Sequence, residues 1–420
     1  MKPYFIIAVS AFILISCVNK ATKLDPINPD LGNMNTIEVP SKIPLLPYKN
    51  QSCKKISIPS KPSLLYLDSL ISEYEFIPLE TKSECLLMGI DKLLSDSSFI
   101  FILDKSSNSV FRFNSDGKFL NKIGSIGRGP GEYSEVYSIT LNKDTKQIVL
   151  LDLLGRKLLF FGYEGNFEKS ESMYYLFSQF EFFQNQLILF TSKAYNTKVK
   201  QIDLNQIIIS KIDQTPLYRA FPYPNQQRTL FSFTTKKPLI KSSNEIYFHT
   251  ILNDTIWQID TTGFHAAFEL EFQGRRKDYY QSINVKKFND NDYQKMLNSA
   301  EPYFFGDYQI TKDFVFLSFS RDNRIWPLFY CRTTGNTKSG IYASPKKDSK
   351  FNSSILLHFA LNPDYILGDE SFCQVIEPYM MKSMNLLEGK DNLSDKEKDL
   401  VNSLKEEDNP VLLKYKIKQF

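Results

Sequence analysis

Residues 99–123, FIFILDKSSNSVFRFNSDGKFLNKI, lie without a gap over residues 147–171, QIVLLDLLGRKLLFFGYEGNFEKSE. Asp104 falls on Asp152, Gly117 on Gly165 and Phe119 on Phe167, a period of 48 residues. Each copy holds short apolar runs bounded by Asp, Asn, Ser and Gly, the composition of antiparallel strands joined by tight turns. A period of roughly 40–50 residues built this way is the signature of a β-propeller blade.

The second copy supplies a template for the rest of the chain. It predicts four strands over 137–141, 147–152, 156–161 and 166–171, and the first copy repeats this pattern from Gly89 to Gly124. Gly263 lies 98 residues beyond Gly165, close to two periods, so 245–249 and 255–259 belong to a fourth blade. Strands at 179–183, 186–191 and 198–202 then fill the third, and 314–319 with 328–332 make a fifth. A sixth has strands only at 372–376 and 411–417, while the segment 73–79 precedes the first blade and lacks one of its own. Pairing that segment with the C-terminal strand removes both free edges, which an open sheet must otherwise protect. The predicted fold is all-β: a six-bladed β-propeller of four-stranded antiparallel blades, its ring closed by the N-terminal and C-terminal strands. Two short helices interrupt it. One is predicted over 290–299, inside the connection 274–304. The other follows the capping box Ser394-Asp-Lys-Glu397, inside the connection 378–410.

The ends divide the chain into three parts: 1–17, 18–55 and 56–420. Lys2 and the twelve-residue, largely apolar stretch 4–15 form an export signal, too short for the roughly 20 residues a membrane-spanning helix needs. Its ending, Leu14-Ile-Ser-Cys17, resembles the lipobox of bacterial lipoproteins, in which the Cys takes a diacylglyceryl group. That resemblance implies a membrane partner through a lipid anchor at Cys17. No Asp follows Cys17, which favours the outer membrane. Residues 18–55, broken by Pro26, Pro29, Pro40, Pro44 and Pro47, read as a flexible tether. The net charge of +4 is spread without a basic block, so no nucleic-acid partner is expected. Four further cysteines (Cys53, Cys85, Cys331 and Cys373) form no CxxC and leave pairing open.

The junction Lys122-Ile-Gly-Ser-Ile-Gly-Arg-Gly-Pro-Gly-Glu-Tyr133, after Asp104 and the Asp116-Gly-Lys-Phe119 turn, looks like an NHL-type propeller repeat. With the lipobox, the leading Tyr74–Glu80 strand, Asn253-Asp-Thr-Ile-Trp257 and the late Asp408-Asn-Pro-Val-Leu412, the chain resembles the six-bladed β-propeller lipoproteins of Gram-negative bacteria. The resemblance implies fold and anchoring and says little of function.

Propeller geometry brings the second-to-third-strand loops and the crossings between blades to one rim, where long loops on a rigid scaffold concentrate function. On that rim the junction offers Arg128, Glu132 and Tyr133 as ligand contacts. The insertion offers Arg275, Arg276, Tyr279 and Tyr280, aromatic platforms with basic neighbours that suit sugars or peptides. Gly127, Gly129, Pro130 and Gly131 read as a backbone crossing, and Asp104 and Asp152 as caps on neighbouring amides. Catalytic patterns are sparse: only His249, His265 and His358 are present, and no GxSxG. The expected function is a non-enzymatic, cofactor-free binding module for a glycan, a peptide or another envelope protein. The alternative is a calcium-dependent hydrolase or lyase in the channel, with Asp91, Glu181 and Asp307 as metal ligands, short of the six to eight oxygens calcium takes.

Overall fold

Runs such as Ile148-Val-Leu-Leu151 are apolar at every position because both faces of their sheet are covered. Side chains alternate across a strand. Ile148 and Leu150 pack toward the first blade, among Phe101, Leu103 and Val110. Val149 and Leu151 pack toward the third, among Phe180, Leu187 and Leu189. A sheet apolar on both faces is stable only between two others, and a ring satisfies that requirement for every sheet at once.

The computed structural model describes residues 39–49, 53–61, 63–225, 235, 237–260, 263–276, 279, 295–296, 299–322, 324–343, 362–388 and 394–420. It holds six blades, each an antiparallel sheet. Their innermost strands are Lys92–Ser95, Val136–Asn142, Gln179–Phe183, Leu239–Ser242, Tyr303–Ile310 and Tyr365–Leu367. Blade 6 closes the ring as the sequence pattern predicts. Its order is Tyr365–Leu367, Ser371–Ile376, Val411–Ile417 and then Ile71–Pro78, with Val411 opposite Pro78 and Tyr415 opposite Tyr74. Six apolar clusters fill the six seams between neighbouring blades.

Asp104 and Asp152 hold equivalent places and are fully buried. Each ties its own loop to the connection arriving from the preceding blade. Asp104 accepts from the Met88 and Ser106 amides at 2.8 and 3.0 Å, and Asp152 from those of Ser134 and Gly155 at 2.9 and 2.8 Å.

Two expectations are corrected. The third strand of blade 3 is Asn205–Lys211, not 198–202. Residues 198–202 lie in the loop before it, where Ile202 is buried without joining a ladder and its amide bonds to Val199. Burial alone made that stretch look like a strand. The segment read as tether also reaches the fold before residue 56. Tyr48–Lys49 and Lys54–Ile58 run parallel to the outer strand of blade 4, and Ser63–Tyr66 runs parallel to that of blade 5. Ile43 and Leu46 are buried in the seams on either side of blade 3. Short pairings between prolines give no periodic signal, so this belt was hidden.

Cys53, Cys85, Cys331 and Cys373 are all free thiols. The capping box forms at Ser394 and starts the helix Asp395–Ser403. The helix expected over 290–299 lies largely outside the described residues, as do the signal segment and Cys17.

Gly117 shows how closely closure constrains the turns. Its φ is +82°, and a Cβ there would lie 2.3 Å from the Pro78 carbonyl oxygen of the closing strand. Gly117→Ala adds that clash to the left-handed penalty of about 1–2 kcal/mol for a residue with a Cβ. The variant should unfold at lower denaturant by at least about 2 kcal/mol, read by urea titration, whereas Gly335→Ala, with open space around it, should lose only the backbone part.

Candidate functional site

Strand direction sorts the loops. In each blade the outermost strand runs toward the rim where the next innermost strand begins, so inter-blade crossings and second-to-third-strand loops share an upper rim. The connection from Gly263–Phe272 to Tyr303–Ile310 and that from Ser371–Ile376 to Val411–Ile417 both leave from and return to it. The two long insertions thus share one face, as expected.

Exposed large apolar side chains follow the same division. Leu86 and Met88 lie on the crossing into blade 1 and Ile126 on that into blade 2. Leu154 and Tyr195 lie on loops of blades 2 and 3, Ile325 at the start of a blade 5 strand, and Tyr379 on the helix Pro378–Glu388. All seven are on the upper rim. The other exposed large apolar residues sit on the outer strands and the N-terminal belt, and none among the described residues sits on the lower rim.

The candidate contacts fare differently from one another. Glu132 turns inward and accepts from the Gly129 amide at 2.7 Å, and a Cβ on Gly127 would lie 2.1 Å from its carboxylate. Tyr133 is buried, and burial pushes its phenol up to about 12. Arg128 is the exposed member of that trio. Arg275 grips Asp254 with both guanidinium nitrogens, one at 3.0 Å, and lies over the Phe272 ring. Arg276 pairs with Glu301 at 3.0 Å. Tyr279 is buried, its hydroxyl 3.1 Å from that of Ser299. Arg275 thus ties the start of the insertion to blade 4, while Arg276 and Tyr279 bond to Glu301 and Ser299 at its far end and hold the insertion's two ends together. Tyr280 lies outside the described residues.

Around the axis the innermost strands enclose a cavity of about 430 Å³. Asp91 and Glu181 line it, as expected of inward-facing acids; Asp307 is not among its lining residues. Glu181, 4% exposed, meets the Lys92 ammonium at 3.0 Å and accepts a short bond from the Thr140 hydroxyl. Beside it, Lys241 donates to the Phe182 carbonyl at 2.9 Å and reaches that of Leu141 at 3.5 Å. Burial holds the Lys241 ammonium below its usual pKa. Asp91 accepts from the Lys105 amide at 2.8 Å, while Asp307 pairs with Lys237 at 3.2 Å and accepts from Ser318 at 2.9 Å. The three acids therefore stand on alternate blades with separate partners. Among the described residues no group of three or more His, Cys, Asp or Glu is placed to hold a metal ion. Sequence reasoning missed Lys92, Thr140 and Lys241. The available signal was a charge inside an otherwise apolar innermost strand.

A family model described as a domain of unknown function (DUF4934) matches residues 53–416. No curated protein matches the chain in sequence. Among solved structures, an exported protein from Bacteroides fragilis is 18% identical, with a TM-score of 0.68 over 88% of this chain and 100% of its own. A DUF4221-family protein from Bacteroides vulgatus is 9% identical, with a TM-score of 0.45 over 84% of this chain and 98% of its own. Virginiamycin B lyase from Staphylococcus aureus is 12% identical, with a TM-score of 0.37 over 72% of this chain and 80% of its own. The first similarity speaks for the fold alone, and the two looser ones support no claim about chemistry.

His249 lies under the upper rim, fully buried, its Nε2 2.9 Å from the Asn253 carbonyl and its ring 4.6 Å from that of Phe304. Burial lowers its pKa to about 4 from 6.5. The unfolded chain therefore binds this proton at a higher pH than the folded one. The stabilisation is full above about pH 6.5 and is lost as pH falls toward 4, a difference of about 3 kcal/mol. Urea denaturation at pH 7 and pH 4.5 should show a smaller pH-dependent loss in His249→Gln than in the native protein; equal losses would contradict this assignment.

Proposed function

The chain belongs to the DUF4934 family, and we propose that it is a lipid-anchored envelope protein whose propeller acts as a non-enzymatic binding module. Cys17 carries the lipid, the outer membrane is its site, and the upper rim receives a glycan, a peptide or another envelope protein. The observation that supports this reading is the one-sided placement of exposed apolar side chains on the rim that also bears both long insertions. Loops on a rigid scaffold are where binding residues concentrate, and apolar side chains exposed on one rim only set that rim apart from the other. Arg128 adds an exposed cation to that rim. Of the described histidines, His249 is buried and His265 pairs with Asp260. The exported Bacteroides fragilis protein of similar fold is in keeping with an envelope location.

Two experiments test the two halves of the proposal. Expressed in a Gram-negative host, the chain should partition with membranes and incorporate labelled palmitate. Cys17→Ser should abolish the label and release the protein; a labelled Cys17→Ser protein would refute the anchor. For the rim, cross-linking in intact envelopes should yield a discrete adduct that Leu154→Asp with Ile325→Asp weakens at least about tenfold. Ester or lactone turnover by the purified protein would overturn the non-enzymatic reading.

A further inference from the structure

Halfway down the channel, four blades meet in one polar layer. Lys92 of blade 1, Thr140 of blade 2, Glu181 of blade 3 and Lys241 of blade 4 all project from innermost strands, into or beside the cavity. The layer holds two ammonium groups against one carboxylate. Both oxygens of that carboxylate are in use, Oε1 by Lys92 and Oε2 by Thr140. The hydrogen bonds of Lys241 go to two neutral carbonyls, and an ammonium has three donors. Lys241 thus has Glu181 nearby but no carboxylate hydrogen-bonded to it, in a space walled by protein where charges are weakly screened.

The mouth above this layer mixes both signs, with Lys105 and Lys237 in its wall beside two carboxylates. Asp91 and Asp364 line it as carboxylates that accept backbone amides, and Ser178 and Gln179 add further polar groups. Carboxylate acceptors at the mouth suit a ligand that brings hydroxyl donors, and an ammonium halfway down with no carboxylate bonded to it suits a singly charged anion. The volume falls in the range of small-molecule sites.

From this geometry we infer that the channel is a second binding site, for a small hydroxylated carboxylate of the sugar-acid class, with its carboxylate at Lys241 and its hydroxyls toward Asp91 and Asp364. The inference rests on the same reading of the protein as a binding module but places this ligand in the channel rather than on the rim.

D-glucuronate and D-glucose form a matched probe pair, differing only by the carboxylate. Isothermal titration of the purified protein should give saturable 1:1 binding of glucuronate, with glucose at least about tenfold weaker. Lys241→Met should weaken glucuronate by a similar factor, while Lys169→Met, which removes the Lys169–Glu171 pair at 2.9 Å on the outer strand of blade 2, should leave it unchanged. Should Lys241→Met misfold, the glucuronate-to-glucose ratio on the native protein still decides the matter. Equal affinity for the two sugars, or no saturable heat with glucuronate up to about 10 mM, overturns the inference. Envelope cross-linking separates the two proposals. If the rim adduct forms while glucuronate fails to bind, the channel site alone falls. If glucuronate binds and no adduct forms, the channel site stands and the rim proposal falls.

Discussion

The ladder between Ile71–Pro78 and Val411–Ile417 is the contact on which every other one depends. Five blades are built from consecutive segments of chain, but the sixth needs strands from both ends of the fold. Until they meet, blade 6 lacks its outer strand, and two of the six apolar seams stand open to water. Closing a loop of more than three hundred residues carries an entropy cost that grows only slowly with length, while each seam buries a cluster of side chains. The balance favours a complete ring and penalises any partial one. The rims and the channel exist only as properties of that ring: without closure the inward side chains of blades 1 and 6 have nothing to face.

The N-terminal belt extends the same logic round the outside. In chain order, Ile43 enters the seam between blades 2 and 3, and Leu46 that between blades 3 and 4. Ile56 and Ile58 enter the seam between blades 4 and 5, Leu70 and Ile71 that between 5 and 6, and Ile77 and Leu79 that between 6 and 1. One stretch of chain thus contributes to five consecutive seams before the first blade begins. Its strands run parallel to the outer strands of blades 4 and 5, covering edges that would otherwise offer free backbone groups to another chain.

What the sequence made legible follows from burial on both faces. A blade squeezed between neighbours needs apolar residues at successive positions, as in 99–103 and 148–151. It also needs an Asp to tie its loop and a Gly in the next turn, so the period stands out where all three recur. The same argument explains the misreading in blade 3, where Ile202 is as buried as a strand residue but lies in a loop. The belt was invisible because its pairing partners, such as Phe264 for Tyr48 and Gly340 for Ser63, lie far along the chain and its own alternation is too short to count. At the rim, Arg275, Arg276 and Tyr279 have the chemistry of ligand contacts, yet their partners Asp254, Glu301 and Ser299 become visible only in three dimensions. Composition names the groups a site could use. It does not say whether the fold has already used them.

The charged layer in the channel poses the sharper question. Removing Lys92, Glu181 and Lys241 from water is costly, and a buried ion pair recovers that cost only with good geometry and further hydrogen bonds. The pair has both, since Glu181 accepts from Thr140 as well as from Lys92. Lys241 is the remainder: its charge meets carbonyl dipoles, and burial opposes that charge. Apolar side chains of similar size would fill the same space without that cost. Its hydrogen bonds tie blade 4 to blades 2 and 3, but two neutral carbonyls call for a donor and not for a full charge. A group costly to the empty protein and suited to an anion is better explained by what enters the channel than by what holds the ring together.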